Sequence, residues 1–150
     1  MTETLQVTPD RVGQWRIDRA SINHTIRDTR CWIAQAANHP QPPFAELGSR
    51  LRALREQLES HFGAAIQIYT ALAEELWCIE VQSAQQIAAA DQTHLLRRLE
   101  SLIIGVLSVP PAYATFADAV DALEWIFDEL DQYEEREADS FEWLLASQCG

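Results

Sequence analysis

Between Phe44 and Leu76, apolar side chains return at alternating steps of three and four: Phe44, Leu47, Leu51, Leu54, Leu58, Ala65, Ile68 and Leu72, with His61 in the remaining slot. That spacing is one face of an α-helix. A helix of roughly 30 residues with an apolar stripe does not stand alone in water, so other helices must cover it. His61 sits on the axis of the stripe, where leucine would be the simplest choice. Any role beyond folding is expected to centre on that histidine.

The rest of the chain supplies the covering helices. A first helix is predicted from about Val12 to Ala37, with Asp10 as N-cap or Thr8–Pro9 as its opening. Its stripe is Trp15, Ile22, Ile26, Thr29 and Ile33. His24 falls almost opposite, with Ile17, Ala20, Asp28 and Cys31. Residues 1–10 read as a flexible polar tail, leaving 11–150 as one domain. Pro40, Pro42 and Pro43 break the chain by removing donors and forcing extended dihedrals. After the second helix a turn is expected between Cys78 and Ser83. The third helix then runs to Leu107 with Ile87, Leu95, Leu99, Leu102 and Val106 inward, until Val109-Pro110-Pro111 stops it.

A fourth helix is predicted from about Thr115 to Ser147, with Thr115 and Asp118 as a capping pair. Phe116, Val120, Leu123, Ile126, Phe127, Leu130, Tyr133, Glu137, Phe141 and Leu144 form its stripe, and Glu137 is a carboxylate at a core position. Strand signals are absent. Four amphipathic helices on short connections predict an all-α, antiparallel up-down four-helix bundle.

Charge limits the partners. The net charge is −12, every base is arginine, and residues 111–150 hold eleven acids against Arg136 alone. An acidic end of this kind repels phosphate backbones, so nucleic acid is not an expected partner. The longest apolar run, Leu102 to Val109, is too short to span a bilayer, and the first residues lack the basic-then-apolar order of a signal peptide. Cys31, Cys78 and Cys149 are odd in number and without a CxxC pair, which predicts reduced thiols in the cytoplasm. No glycine-rich phosphate loop or GxSxG elbow occurs, so no catalytic residue is assigned and the chain is read as non-enzymatic. Trp32, Trp77 and Trp143 lie near helix ends or flanks, where they either pad a wide core or present a partner surface.

The inward polar set is His61, Tyr133 and Glu137. Bundles build metal sites from such groups on facing helices. Without metal, His61 would bond Tyr133, Glu137 or water, and Glu137 would need a proton or several donors, because a buried polar group left unpaired costs about 1–3 kcal/mol.

The runs LRALREQLESHFGAA (51–65) and LDQYEEREADSFEWLL (130–145) resemble the hemerythrin-like, HHE cation-binding family, across roughly residues 15–145. Members carry HFxxEE on the second helix and HExxE on the fourth, in a four-helix bundle around a non-haem di-iron site. By that resemblance His61-Phe62 matches the first motif, and Ala65 stands in its glutamate slot. Tyr133 fills the histidine slot of the second motif, followed by the matching Glu134, with Glu137 as the bridging-type carboxylate. The third-helix histidine position falls on Gln92, with His94 two residues away, and His24 lies in the corresponding region of the first helix. Substitutions at these ligand positions imply a degraded site with no cofactor, kept as a binding or interaction module whose partner is a second copy or another protein. The alternative is a metalloprotein retaining one iron on His61 and Glu137, completed by His24 or His94, for oxygen, nitric oxide or iron handling. A third option is a small-molecule pocket beside Ala65.

Overall fold

The computed structural model describes residues 2–76 and 79–148. Four helices follow one another: α1 (Thr2–Ala36), α2 (Phe44–Leu76), α3 (Ile79–Leu107) and α4 (Phe116–Gln148). No strand occurs among the described residues. Each helix packs on its neighbour in sequence and α1 also meets α4, closing an antiparallel up-down four-helix bundle.

Helix α1 begins at Thr2 rather than near Val12, so the expected tail is its first turns, and Pro9 lies inside the helix. As the eighth residue of α1, Pro9 lies past the first turn, so it removes one backbone hydrogen bond and crowds the carbonyl four residues before it. The break at 38–43 is as predicted: the Ala36 carbonyl accepts from His39 N–H at 3.0 Å, and the Pro43 carbonyl accepts from Leu47 N–H at 3.1 Å as α2 starts. Thr115 caps α4, its hydroxyl accepting from Asp118 N–H at 3.1 Å. Helix α3 starts at Ile79, inside the expected window, while Trp77 and Cys78 lie outside the described residues.

The four stripes meet as the periodicity requires. Trp15, Ile22, Ile26, Thr29 and Ile33 of α1 are buried, as are Leu47, Leu51, Leu54, Leu58, Ile68 and Leu72 of α2. On α3 one expectation is overturned. Ile87 is 62% exposed, and Ala88 is buried in its place together with Leu95, Leu99, Leu102 and Val106. The inward sector of α3 is thus continued by Ala88 and Gln92, and the larger residue of the Ile87–Ala88 pair faces out.

Helices α1 and α4 approach less closely than the other neighbours, and long side chains span the groove between them. The Arg30 guanidinium donates to both carboxylate oxygens of Glu124, at 3.1 and 2.9 Å, and lies over the Phe127 ring. Arg19 donates to Glu135 at 2.9 Å. Part of the acidity of α4 therefore serves arginines of its neighbours, Arg98 of α3 with Glu129 included, although exposed pairs contribute only about 0–1 kcal/mol each.

Leu99 is fully buried and Ile87 is mostly exposed. Leu99→Ala should cost about 2–5 kcal/mol in urea unfolding, and Ile87→Ala about 0.5 kcal/mol or less. Equal losses would place α3 in the register first expected.

Candidate functional site

Two polar groupings occupy the middle of the bundle, one on each side of α4. The first joins α2 to α4. His61 is 2% exposed, and its Nε2 lies 3.2 Å from Glu134 Oε2 and 3.0 Å from Oε1. The indole of Trp15, from α1, stacks on the imidazole with 5.2 Å between centroids and 18° between planes. Phe141 closes edge-on against the same indole at 5.2 Å. With Nε2–H donating to the carboxylate, Nδ1 is left buried with no partner among the described residues.

The sequence points His61 at Tyr133 or Glu137, and the structure gives it Glu134 instead. The reason is angular. At about 100° per residue, Glu134 stands about 60° round the helix from Glu137, on the flank of a stripe wide enough to bury both. Glu134 is 3% exposed. It borders the α1–α4 groove, while Tyr133 and Glu137 border the α3–α4 groove.

The second grouping joins α2, α3 and α4. Gln92 Nε2 donates to the Tyr133 hydroxyl at 2.7 Å and to the Phe62 carbonyl at 3.2 Å. Phe62 packs edge-on against the Tyr133 ring at 5.3 Å. The Tyr69 and Ser140 hydroxyl oxygens lie within hydrogen-bond distance at 3.2 Å. Glu137, 4% exposed, completes the group, and its Oε1 has no hydrogen-bond partner among the described residues.

Burial pushes the Glu137 carboxyl up to about 7. Hydrogen bonding by the Tyr69 and Tyr133 hydroxyls pulls the other way, and the charge of Glu134 adds to the rise. Tyr69 and Tyr133 are both pushed up, first by burial and then by the nearby Glu137 charge. Neither tyrosine is a ready phenolate.

The four residues expected as one metal set are not brought together. His24 stands on the outer face of α1, its side chain 70% exposed and 3.3 Å from Asp28. His94 is 63% exposed on α3 and lies 3.5 Å from Glu129. Among the described residues no three His, Cys, Asp or Glu side chains are grouped so as to hold a metal ion. The set His24, His61, His94 and Glu137 is therefore corrected to two buried groups and two surface histidines. The cause is helical phase: both surface histidines fall outside the apolar sector of their helix. The polar cluster of His61, Tyr133 and Glu137 is buried as expected, but His61 bonds neither of the others. Gln92, Tyr69, Ser140 and Trp15 complete it. Of these, Gln92 was detectable as an amide at an inward position, and Tyr69 by its place four residues after Ala65 on the same face.

What this arrangement can do follows from where the space lies. Open space lies in grooves between helices, about 320 Å³ beside Glu134, about 300 Å³ beside His61 and about 170 Å³ beside Glu137. Cys31 is a free, exposed thiol, while Cys78 and Cys149 lie outside the described residues. Trp32 is half-buried under the Arg50 guanidinium and against Phe116, whereas Trp125 and Trp143 are 66% and 56% exposed. Among the described residues no helix is long and apolar enough to cross a membrane.

Fold and site together define an all-α bundle with a divided polar centre. No family model, curated protein or solved structure matches the chain.

Glu137 generates a pH prediction. The folded protein keeps its proton up to about pH 7, whereas the unfolded chain releases it near 4.5. Folding therefore takes up a proton between those values, and this contribution to stability declines as pH rises through them, by about 3 kcal/mol in all. Glu137→Gln should remove that decline, leaving the variant more stable than the parent at about pH 8 and similar at about pH 4. Urea unfolding across the range reads it, and parallel curves for the two proteins would refute the assignment.

Proposed function

We propose that this chain is a hemerythrin-like bundle whose di-iron positions have been refilled by side chains that bond one another, and that it serves as a non-enzymatic binding or interaction module. One observation carries the reading. Gln92 and Tyr133 stand at the two positions where the resemblance places histidines, and they meet in a buried hydrogen bond of 2.7 Å. Ala65, in the glutamate slot, is buried and brings no donor atom. The residues present do not fit a di-iron centre: an amide, a high-pKa phenol and a methyl group replace two imidazoles and a carboxylate. His61 is engaged by Glu134 and supplies at most one further nitrogen.

A centre tied together in this way links α2, α3 and α4 without an ion and leaves the outer faces and grooves for recognition. The partner under this reading is a second copy or another protein, and the exposed free Cys31 suits a reducing, cytoplasmic setting.

Elemental analysis after expression in iron-supplemented medium, repeated after anaerobic ferrous reconstitution, tests the reading. The expected content is far below one iron per chain, and stoichiometric iron would overturn it. The Ala65→Glu, Tyr133→His double variant should bind ferrous iron at least tenfold more tightly than the parent. No gain in a folded variant would break the alignment of these positions with the family motifs.

A further inference from the structure

The Glu137 carboxylate borders a cavity that nothing in its own network fills. With Tyr69, Ile87, Ala88, Tyr133 and Ser140 it lines about 170 Å³ of space in the groove between α3 and α4. Small side chains make the room: Ala84 and Ala88 are the α3 wall, and Ile87 is a large exposed apolar group along the same groove. Glu137 Oε1 is buried and unpartnered among the described residues. A buried carboxylate oxygen without a donor costs free energy that a ligand with N–H groups recovers.

The charges around the cavity select the sign of that ligand. From α2 it faces Tyr69, from α3 Asp91, and from α4 Tyr133 and Arg136, with Glu134 close enough to raise Glu137 further. The Arg136 side chain is 64% exposed and turns to Asp91 at 3.4 Å, so its charge is matched at the surface. Glu137 is reached by the Tyr69 and Tyr133 hydroxyls but has no cation of its own, in a chain of net charge −12. A cation fits there and an anion does not. Size narrows the choice. A water molecule takes about 30 Å³ of liquid, so the cavity admits a ligand of roughly six heavy atoms. An ammonium brings three donors, and the Glu137 carboxylate with the Tyr69 and Ser140 hydroxyl oxygens supplies acceptors among the lining residues.

We propose that this groove is a binding site for a small primary ammonium compound with a short branched or linear hydrocarbon body, its ammonium on Glu137 and its body along Ala84, Ile87 and Ala88. This inference rests on the reading of the protein as a metal-free binding module and names the ligand class of that module.

Titration calorimetry in phosphate buffer at about pH 8 compares three probes with one carbon skeleton: isopentylammonium, 3-methylbutan-1-ol and 3-methylbutanoate. The ammonium should bind at one site per chain, at least tenfold more tightly than the alcohol, with the carboxylate weakest. Glu137→Gln should weaken ammonium binding at least tenfold. Ala84→Leu, which fills the cavity from its half-buried wall, should abolish binding in a protein with unchanged helical circular dichroism. Equal binding of ammonium and alcohol, undiminished binding by Glu137→Gln, or no ammonium binding to the parent protein would each overturn the proposal. Iron analysis of the same preparation separates the two levels: stoichiometric iron removes the underlying reading, whereas iron-free protein that ignores the ammonium removes this inference alone.

Discussion

Placing a histidine, two carboxylates, a glutamine and two tyrosines inside four helices strips them of water, and each must regain hydrogen bonds from another helix. Helix α4 carries most of this load, with Tyr133, Glu134 and Glu137 buried within five consecutive residues. The solution is a division of labour. Glu134 turns toward α2 and takes His61, while Tyr133 turns toward α3 and takes Gln92. Both bonds run between different helices, so each constrains rotation and sliding in a way that interchangeable leucines do not. The remaining carboxylate, Glu137, is accommodated by holding its proton up to about neutrality.

The same arrangement leaves open space in the grooves between helices. A bundle that carries metal points its donors at one place. Here the donors are dispersed: His61 and Glu134 on one side of α4, Glu137 on the other, and His24 and His94 outside. Aromatic rings seal the interior, with Trp15 on His61, Phe141 on Trp15 and Phe62 on Tyr133. Space survives where small residues or loosely packed helices leave it, beside Glu134 between α1 and α4, and beside Glu137 between α3 and α4. The arginine contacts bridge the α1–α4 groove with long side chains rather than with tight apolar packing.

Much of the architecture was legible in the amino-acid order, because helical periodicity is local. Stripes such as Trp15–Ile22–Ile26–Ile33 and Leu123–Ile126–Phe127–Leu130 declare a helix and its buried face whatever packs on them. Pro40, Pro42 and Pro43 fix a break because a proline ring excludes the helical bond wherever it occurs. Buried polar residues were legible too: His61 and Glu137 were conspicuous against their stripes. Ile87 misled because a lone large hydrophobe weighs more in a periodic count than the alanine beside it, and in the fold Ala88 takes the inward position while Ile87 faces out.

By itself the sequence determined four helices, their apolar faces, their order and the presence of ionisable groups within the core, since each follows from spacing along one segment. Only the tertiary structure decided which of those groups touch. His61 meets Glu134 rather than Tyr133 or Glu137, Gln92 meets Tyr133, and the α3–α4 groove opens beside Glu137. Such choices depend on the relative rotation of two helices, and a turn of about 60° exchanges one neighbour for another without disturbing either stripe.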